Sequence, residues 1–267
     1  MNFITIGGDL RLHYASLSLS RGGHTVRILG TPPTNNPFPT EEDFRFADAW
    51  LLPLPLTRGD TVLSEKEGAP TLAALAKEGR EGLRVFGGRI PDTFRTALEE
   101  RGARVTDYYT DPVLTLANAA LTAEGAIFEW MRTAREGIVG KRAAVTGFGR
   151  IARHLVRLLT AWQVDVTVYA RRDTDRTEAQ LCGAHALPLS EGTVFSPVDA
   201  IFNTVPARIL RKESFSSAPA ALVFDLADGI SHAQGCAALS ALRGVPGRYA
   251  PKAAGEIIAD AILRSLP

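Results

Sequence analysis

Short apolar runs rich in β-branched and aromatic residues alternate along this chain with stretches whose apolar residues recur at three- and four-residue spacing. The first run, Phe3-Ile4-Thr5-Ile6, reads as a buried strand and leads into Gly7-Gly8-Asp9 and a helix over 10–20. Further strands are predicted at 25–29, 49–52, 83–86 and 104–108. Pro53 and Pro55 stop the strand at 49–52, since proline cannot continue a central ladder, and Pro91-Asp92 opens a helix that runs to Arg101. Residues 31–47, rich in Pro and Asn, read as a loop. Strands alternating with helices imply a parallel sheet with helices on both faces, so residues 1–115 form a first α/β domain.

The same alternation resumes after an amphipathic helix over 122–135, which places Ala123, Ala126, Ile127, Trp130 and Ala134 on one face. Residues 116–136 are read as a connection that lines an interdomain cleft, and 137–250 as a second parallel-sheet domain. Its strands are expected at 143–146, 166–170, 184–188, 200–204 and 221–226. The tail, 251–267, is again amphipathic, with Ala254, Ile257, Ile258, Ala261 and Ile262 on one stripe, and is expected to dock on the first domain. The fold class is therefore α/β, with two Rossmann-like or flavodoxin-like domains.

The second domain carries the clearest chemistry. Residues 141–172 read strand, glycine turn, helix, strand, with Gly147-Phe148-Gly149-Arg150-Ile151-Ala152 at the turn. Gly147 permits a tight turn, Gly149 lets backbone approach a pyrophosphate, and small Ala152 allows close helix-on-strand packing. Phosphates are favoured at the helix N-terminus, where N–H groups are unpaired. Gly147, Gly149, Arg150 and Ile151 are thus candidate coenzyme contacts. Where NAD sites carry an acid after the second strand, this chain has Arg171-Arg172, whose guanidiniums suit a 2′-phosphate. This favours NADP, with NAD the alternative, because arginine also stacks on adenine. Thr204-Val205-Pro206, at the end of the fourth strand, faces the ligand crevice and is expected at the nicotinamide ribose.

Composition adds exclusions. With 45% hydrophobic and 22% charged residues and a net charge of +1 over 267 residues, nothing favours nucleic acid or a membrane surface. No long apolar run or charged leader is present, which makes the chain a cytoplasmic candidate. Cys182, Cys236 and the scattered histidines lack ligand spacing, so no metal is expected.

Several segments together resemble one family, the A subunit of dipicolinate synthase, which makes the calcium-chelating pyridine diacid of bacterial spores. They are Ile6-Gly7-Gly8-Asp9-Leu10-Arg11, Leu52-Pro53-Leu54-Pro55, the run Asn118-Ala119-Ala120-Leu121-Thr122-Ala123-Glu124-Gly125-Ala126-Ile127, Gly147-Phe148-Gly149-Arg150, Asn203-Thr204-Val205-Pro206, and the run from Val245 to Ile258 with Ala250-Pro251-Lys252-Ala253-Ala254-Gly255-Glu256 at its centre. The chain departs from the family after Asp225-Leu226-Ala227, where it continues Asp228-Gly229-Ile230 in place of Ser-Lys-Pro. The resemblance implies NAD(P)-dependent oxidation of a cyclic dicarboxylate, hydroxytetrahydrodipicolinate or its dehydrated form, to dipicolinate. It also implies a homodimer and, as partner, a flavoprotein-like B-type subunit.

Such a substrate needs donors for two carboxylates and an acceptor for a proton. Asn118, Thr122 and Glu124 are read at a helix N-terminus, where backbone donors hold a carboxylate, with Glu124 the candidate proton acceptor and helix capping the alternative. Lys252 is the candidate partner of a substrate carboxylate, and Asp9 and Arg11 are candidates from the first domain's crevice. His232 is read as a solvated histidine with acid/base work as the alternative. Two rivals remain open: a related 2-hydroxyacid or amino-acid dehydrogenase, and a subunit that binds NADP without turning it over.

Overall fold

The computed structural model describes residues 1–207, 210–227 and 239–266. The chain divides into two compact units, Met1–Asn118 with Gly247–Pro267, and Ala119–Pro246. Each unit is built on a parallel sheet with helices packed on it, which is the expected fold class.

The first unit runs β1 (Asn2–Ile6), α1 (Leu10–Arg21), β2 (Thr25–Leu29), α2 (Glu41–Phe46), β3 (Ala49–Leu51), a small hairpin of β4 (Thr57–Arg58) and β5 (Thr61–Val62), α3 (Leu72–Lys77), β6 (Arg84–Gly87), α4 (Asp92–Glu99) and β7 (Arg104–Asp107). Its sheet has the order β2-β1-β3-β6-β7, every neighbouring pair parallel. Residues 31–47 are not all loop. A capping box between Thr40 and Asp43 nucleates α2 where Pro and Asn had masked a helical start.

Helix α5 (Pro112–Ala134) corrects a second expectation. It starts at Pro112 rather than Thr122, because Asp111 caps it: Oδ1 accepts from Val113 N at 2.7 Å and Leu114 N at 2.9 Å, and proline suits the first helical position. Asn118, Thr122 and Glu124 therefore lie inside a continuous helix. Their backbone N–H groups are not first-turn donors, and the helix N-terminus expected there lies at Pro112 instead.

The second unit continues β8 (Arg142–Thr146), α6 (Arg150–Ala161), β9 (Asp165–Ala170), α7 (Asp173–Leu181), β10 (His185–Pro188), β11 (Ala200–Asn203), β12 (Leu222–Asp225) and β13 (Leu239–Ala241). The strand order β10-β9-β8-β11-β12-β13, parallel throughout, is that of a doubly wound dinucleotide-binding sheet. Helix α6 buries Ala152, Leu155, Val156 and Leu159, and Trp162 is left 45% exposed at its end.

After α8 (Val245–Tyr249), helix α9 (Pro251–Ser265) packs along α1. It buries Ala254, Ile258, Ala261 and Ile262. A Cβ on Gly255 would fall 2.4 Å from the Arg11 carbonyl oxygen and 2.8 Å from Ala15 N, so glycine sets how closely the two backbones approach. Among the described residues no helix is long and apolar enough to cross a membrane.

Asp111 also ties α9 down, accepting from Arg264 Nη2 at 2.9 Å. The Leu114 N–H, then Arg264 and Val113, hold its pKa below the ordinary aspartate value. A depressed folded pKa adds stability that is complete above the unfolded pKa of about 4 and is lost as pH falls through the folded value. Asp111→Ala is expected to cost about 1 kcal/mol in urea denaturation at pH 7. The gap to wild type is expected to close below pH of about 4.

Candidate functional site

At the carboxyl edge of the second sheet, the chain leaves β8 through Gly147, whose φ of +78° is left-handed. Glycine is required here twice over. A Cβ would also lie 2.8 Å from Val205 Cγ2 and 3.1 Å from Thr204 Oγ1. Gly147 N donates to the Tyr169 carbonyl at 2.8 Å, fastening the turn to β9. Phe148 is buried beneath it, and its carbonyl accepts from Arg153 Nε at 3.1 Å. Ala152, fully buried, brings the first turn of α6 against the sheet.

Above Gly149 nothing lies within 4 Å of where a Cβ would stand. No side chain caps α6, and the N–H groups of Phe148 and Gly149 meet no acceptor among the described residues. This turn floors a groove of about 610 Å³ lined by Gly147, Phe148, Gly149, Arg171, Arg172 and Thr204 with their neighbours. Gly147, Gly149, Arg171, Arg172, Thr204, Val205 and Pro206 are thus brought together. Arg150 and Ile151 begin α6 and fall outside the lining.

The two arginines differ. Arg172 Nε and Nη2 each donate to Asp175 at 2.8 Å, a bidentate pair that raises the Arg172 pKa. Arg171, exposed on the same rim, has no ion-pair partner among the described residues. Asp175 and Leu189, which also line the groove, were not anticipated. A carboxylate three residues after an arginine at a helix start is the signal that was available for Asp175.

The glycine turn of the first unit is the opposite case. Gly7 N donates to Leu29 O at 3.0 Å and Gly8 N to Leu63 O at 2.7 Å, while Thr31 Oγ1 donates to Gly7 O at 2.6 Å and Glu65 N to Gly8 O at 3.3 Å. Arg11, only 8% exposed, donates from Nε and Nη2 to Asp9 and from Nη2 to Leu54 O at 2.6 Å. Burial opposes its charge, but the Asp9 carboxylate outweighs that and raises its pKa. Tyr108 Oη, its pKa pushed up by burial, donates to Leu52 O at 2.9 Å. Asp9 and Arg11 are therefore committed to each other and to the β3 loop.

Glu124 is exposed on α5, Thr122 is buried there, and Asn118 is half-buried. Lys252 is exposed in the first turn of α9, with no ion-pair partner among the described residues. His232, Cys236 and the departure at Asp228-Gly229-Ile230 lie outside the described residues. No group of three or more His, Cys, Asp or Glu stands together to hold a metal among those described.

Gly147→Ala is expected to cost about 1–3 kcal/mol, because it places a side chain at positive φ against Val205. Gly149→Ala, with open space around it, is expected to cost no more than about 1 kcal/mol. Urea midpoints of the two variants check the contrast.

Residues 2–109 match the family model described as the N-terminal domain of the dipicolinate synthase A subunit. Residues 117–223 match that of the D-isomer specific 2-hydroxyacid dehydrogenase NAD binding domain. The dipicolinate synthase A subunit of Bacillus subtilis (strain 168) is 26% identical over 288 residues, covering 100% of this chain and 96% of that protein. In fold, the chain matches the crystal structures of the dipicolinate synthase A subunits from Bacillus halodurans and from Bacillus subtilis. The first match has a TM-score of 0.84 at 21% identity, over 100% of this chain and 98% of the other. The second has 0.79 at 22%, over 99% and 95%. The resemblance of this chain to the family of dipicolinate synthase A subunits, read first from its motifs, is thereby shown along its whole length.

Proposed function

We propose that the chain is an NADP-linked dehydrogenase, the A subunit of a dipicolinate synthase. It oxidises a cyclic dicarboxylate to the aromatic diacid, taking a hydride and a proton from the dehydrated form, or from hydroxytetrahydrodipicolinate with loss of its hydroxyl as water. The observation that carries the reading is the turn over β8: open space above Gly149 and two N–H groups without acceptors among the described residues, at the carboxyl edge where a doubly wound sheet binds dinucleotides. The family match to an NAD binding domain supports a nicotinamide coenzyme.

The residues present fit such a coenzyme. Gly147 and Gly149 admit a pyrophosphate, and Thr204, Val205 and Pro206, which line the same groove, are the residues proposed for its nicotinamide ribose. When bound, an oxidised nicotinamide supplies a hydride acceptor. Arg171 is the cation available to a 2′-phosphate, since Arg172 is held by Asp175. Lys252 pairs with a substrate carboxylate, and Glu124, exposed on α5, takes the proton that leaves as the ring becomes aromatic. The protein works in the cytoplasm as a homodimer with a flavoprotein-like B-type subunit.

Arg171→Ala is expected to raise KM for NADP about tenfold and leave that for NAD unchanged. Absorbance at 340 nm with enzymatically generated substrate, with and without a B-type partner, tests the reaction. NADPH formation supports it. Binding of NADPH without oxidation of the diacid in either mixture identifies a non-catalytic subunit, and oxidation of 2-hydroxyacids instead assigns the chain to the chemistry named by its second family match.

A further inference from the structure

We infer that Thr146, Asn203 and Asp225 are positioning residues that set Thr204–Pro206 against the nicotinamide half of the coenzyme, an inference that rests on the coenzyme reading above. The three stand in one row across adjacent strands: Asn203 is in register with Thr146 on β8 and with Asp225 on β12. Their exposures are 0%, 0% and 3%. The row ends an otherwise apolar stretch of sheet, above Ala144, Ile201 and Val223.

Asn203 uses all of its amide. Its Oδ1 accepts from Thr146 Oγ1 at 2.6 Å and from Val205 N at 3.3 Å. Its Nδ2 donates to Asp225 Oδ1 at 2.9 Å and to Val205 O at 3.1 Å. Thr146 completes the hold on the next residue: its Oγ1 accepts from Thr204 N at 3.3 Å, and its carbonyl accepts from Thr204 Oγ1 at 2.7 Å. Both residues that follow β11 are thus fixed by the row at backbone level. The same two residues set the clearance over Gly147.

Burying an amide and a carboxylate is costly unless each is bonded, and apolar side chains of similar volume would fill such a site at lower cost. What the polar row adds is a single conformation for the loop. In a doubly wound sheet the half that begins with β11 takes the second mononucleotide, so a fixed Thr204–Pro206 presents a fixed edge to the nicotinamide end, while the adenine end lies with β9. The row is thus expected to act more strongly on the nicotinamide end than on the adenine end.

The test is calorimetric titration of the full chain with NADPH and, separately, with adenosine 2′,5′-bisphosphate, which carries the adenine end alone. Asn203→Leu and Thr146→Val are expected to weaken NADPH at least tenfold while leaving the bisphosphate within about twofold of wild type. Thr146→Ser, which keeps the hydroxyl, is expected to bind both as wild type does. Retained bisphosphate binding shows that a variant is folded, and Thr146→Val serves if Asn203→Leu is not. Equal weakening of both ligands, or undiminished NADPH binding, overturns the positioning role. A wild-type chain that binds neither ligand overturns the coenzyme reading itself and this inference with it.

Discussion

The left-handed backbone at Gly147 is the constraint on which the candidate site depends. A chain leaving a parallel strand for a helix must reverse within a few residues, and at this position any side chain would meet Val205. With glycine there, the turn fastens to Tyr169 O, Phe148 tucks beneath it, and Ala152 brings α6 down on the sheet. What remains on top is bare backbone at a helix start, where the N–H groups of Phe148 and Gly149 meet no acceptor among the described residues. The groove is thus a consequence of close packing below it.

The two units show what decides whether such a place stays open. Both sheets are parallel, and both reverse strand order beside their first strand, where this architecture places ligands. In the first unit, Leu63, Glu65, Leu29 and Thr31 take every polar group of Gly7 and Gly8, and Arg11 and Tyr108 take the carbonyls of the β3 loop. In the second, Gly147 N is likewise held, by Tyr169 O, but the N–H groups of Phe148 and Gly149 meet no acceptor among the described residues. A common topology offers the position, and side chains from neighbouring loops fill it or leave it.

Most of this was legible where the signal is local. The strand, glycine turn, helix and strand at 141–172 stand where the spacing places them, and so does the run ending in Asn203-Thr204-Val205-Pro206. Element boundaries were less secure: the Asp111-Pro112 cap lies upstream of the apolar stripe that marked α5, and Thr40 opens a helix inside a Pro-rich stretch. Least legible were side-chain pairings across strands. Asn203 meets a threonine 57 residues away and an aspartate 22 residues away, distances over which periodicity carries no information. Arg11 likewise reads as a free cation until its carbonyl partner, 43 residues on, is known.

The docking of α9 on α1 has an implication for biogenesis. The second unit is continuous in sequence, whereas the first is split, with Gly247 and Gly255 both seated against Arg11. On a ribosome the β1–β7 sheet emerges early, but the apolar face of α1 that receives Ile258, Ala259 and Ile262 stays uncovered until translation reaches the last helix. Order of synthesis and order of completion are therefore inverted, and the unit made first is the one finished last.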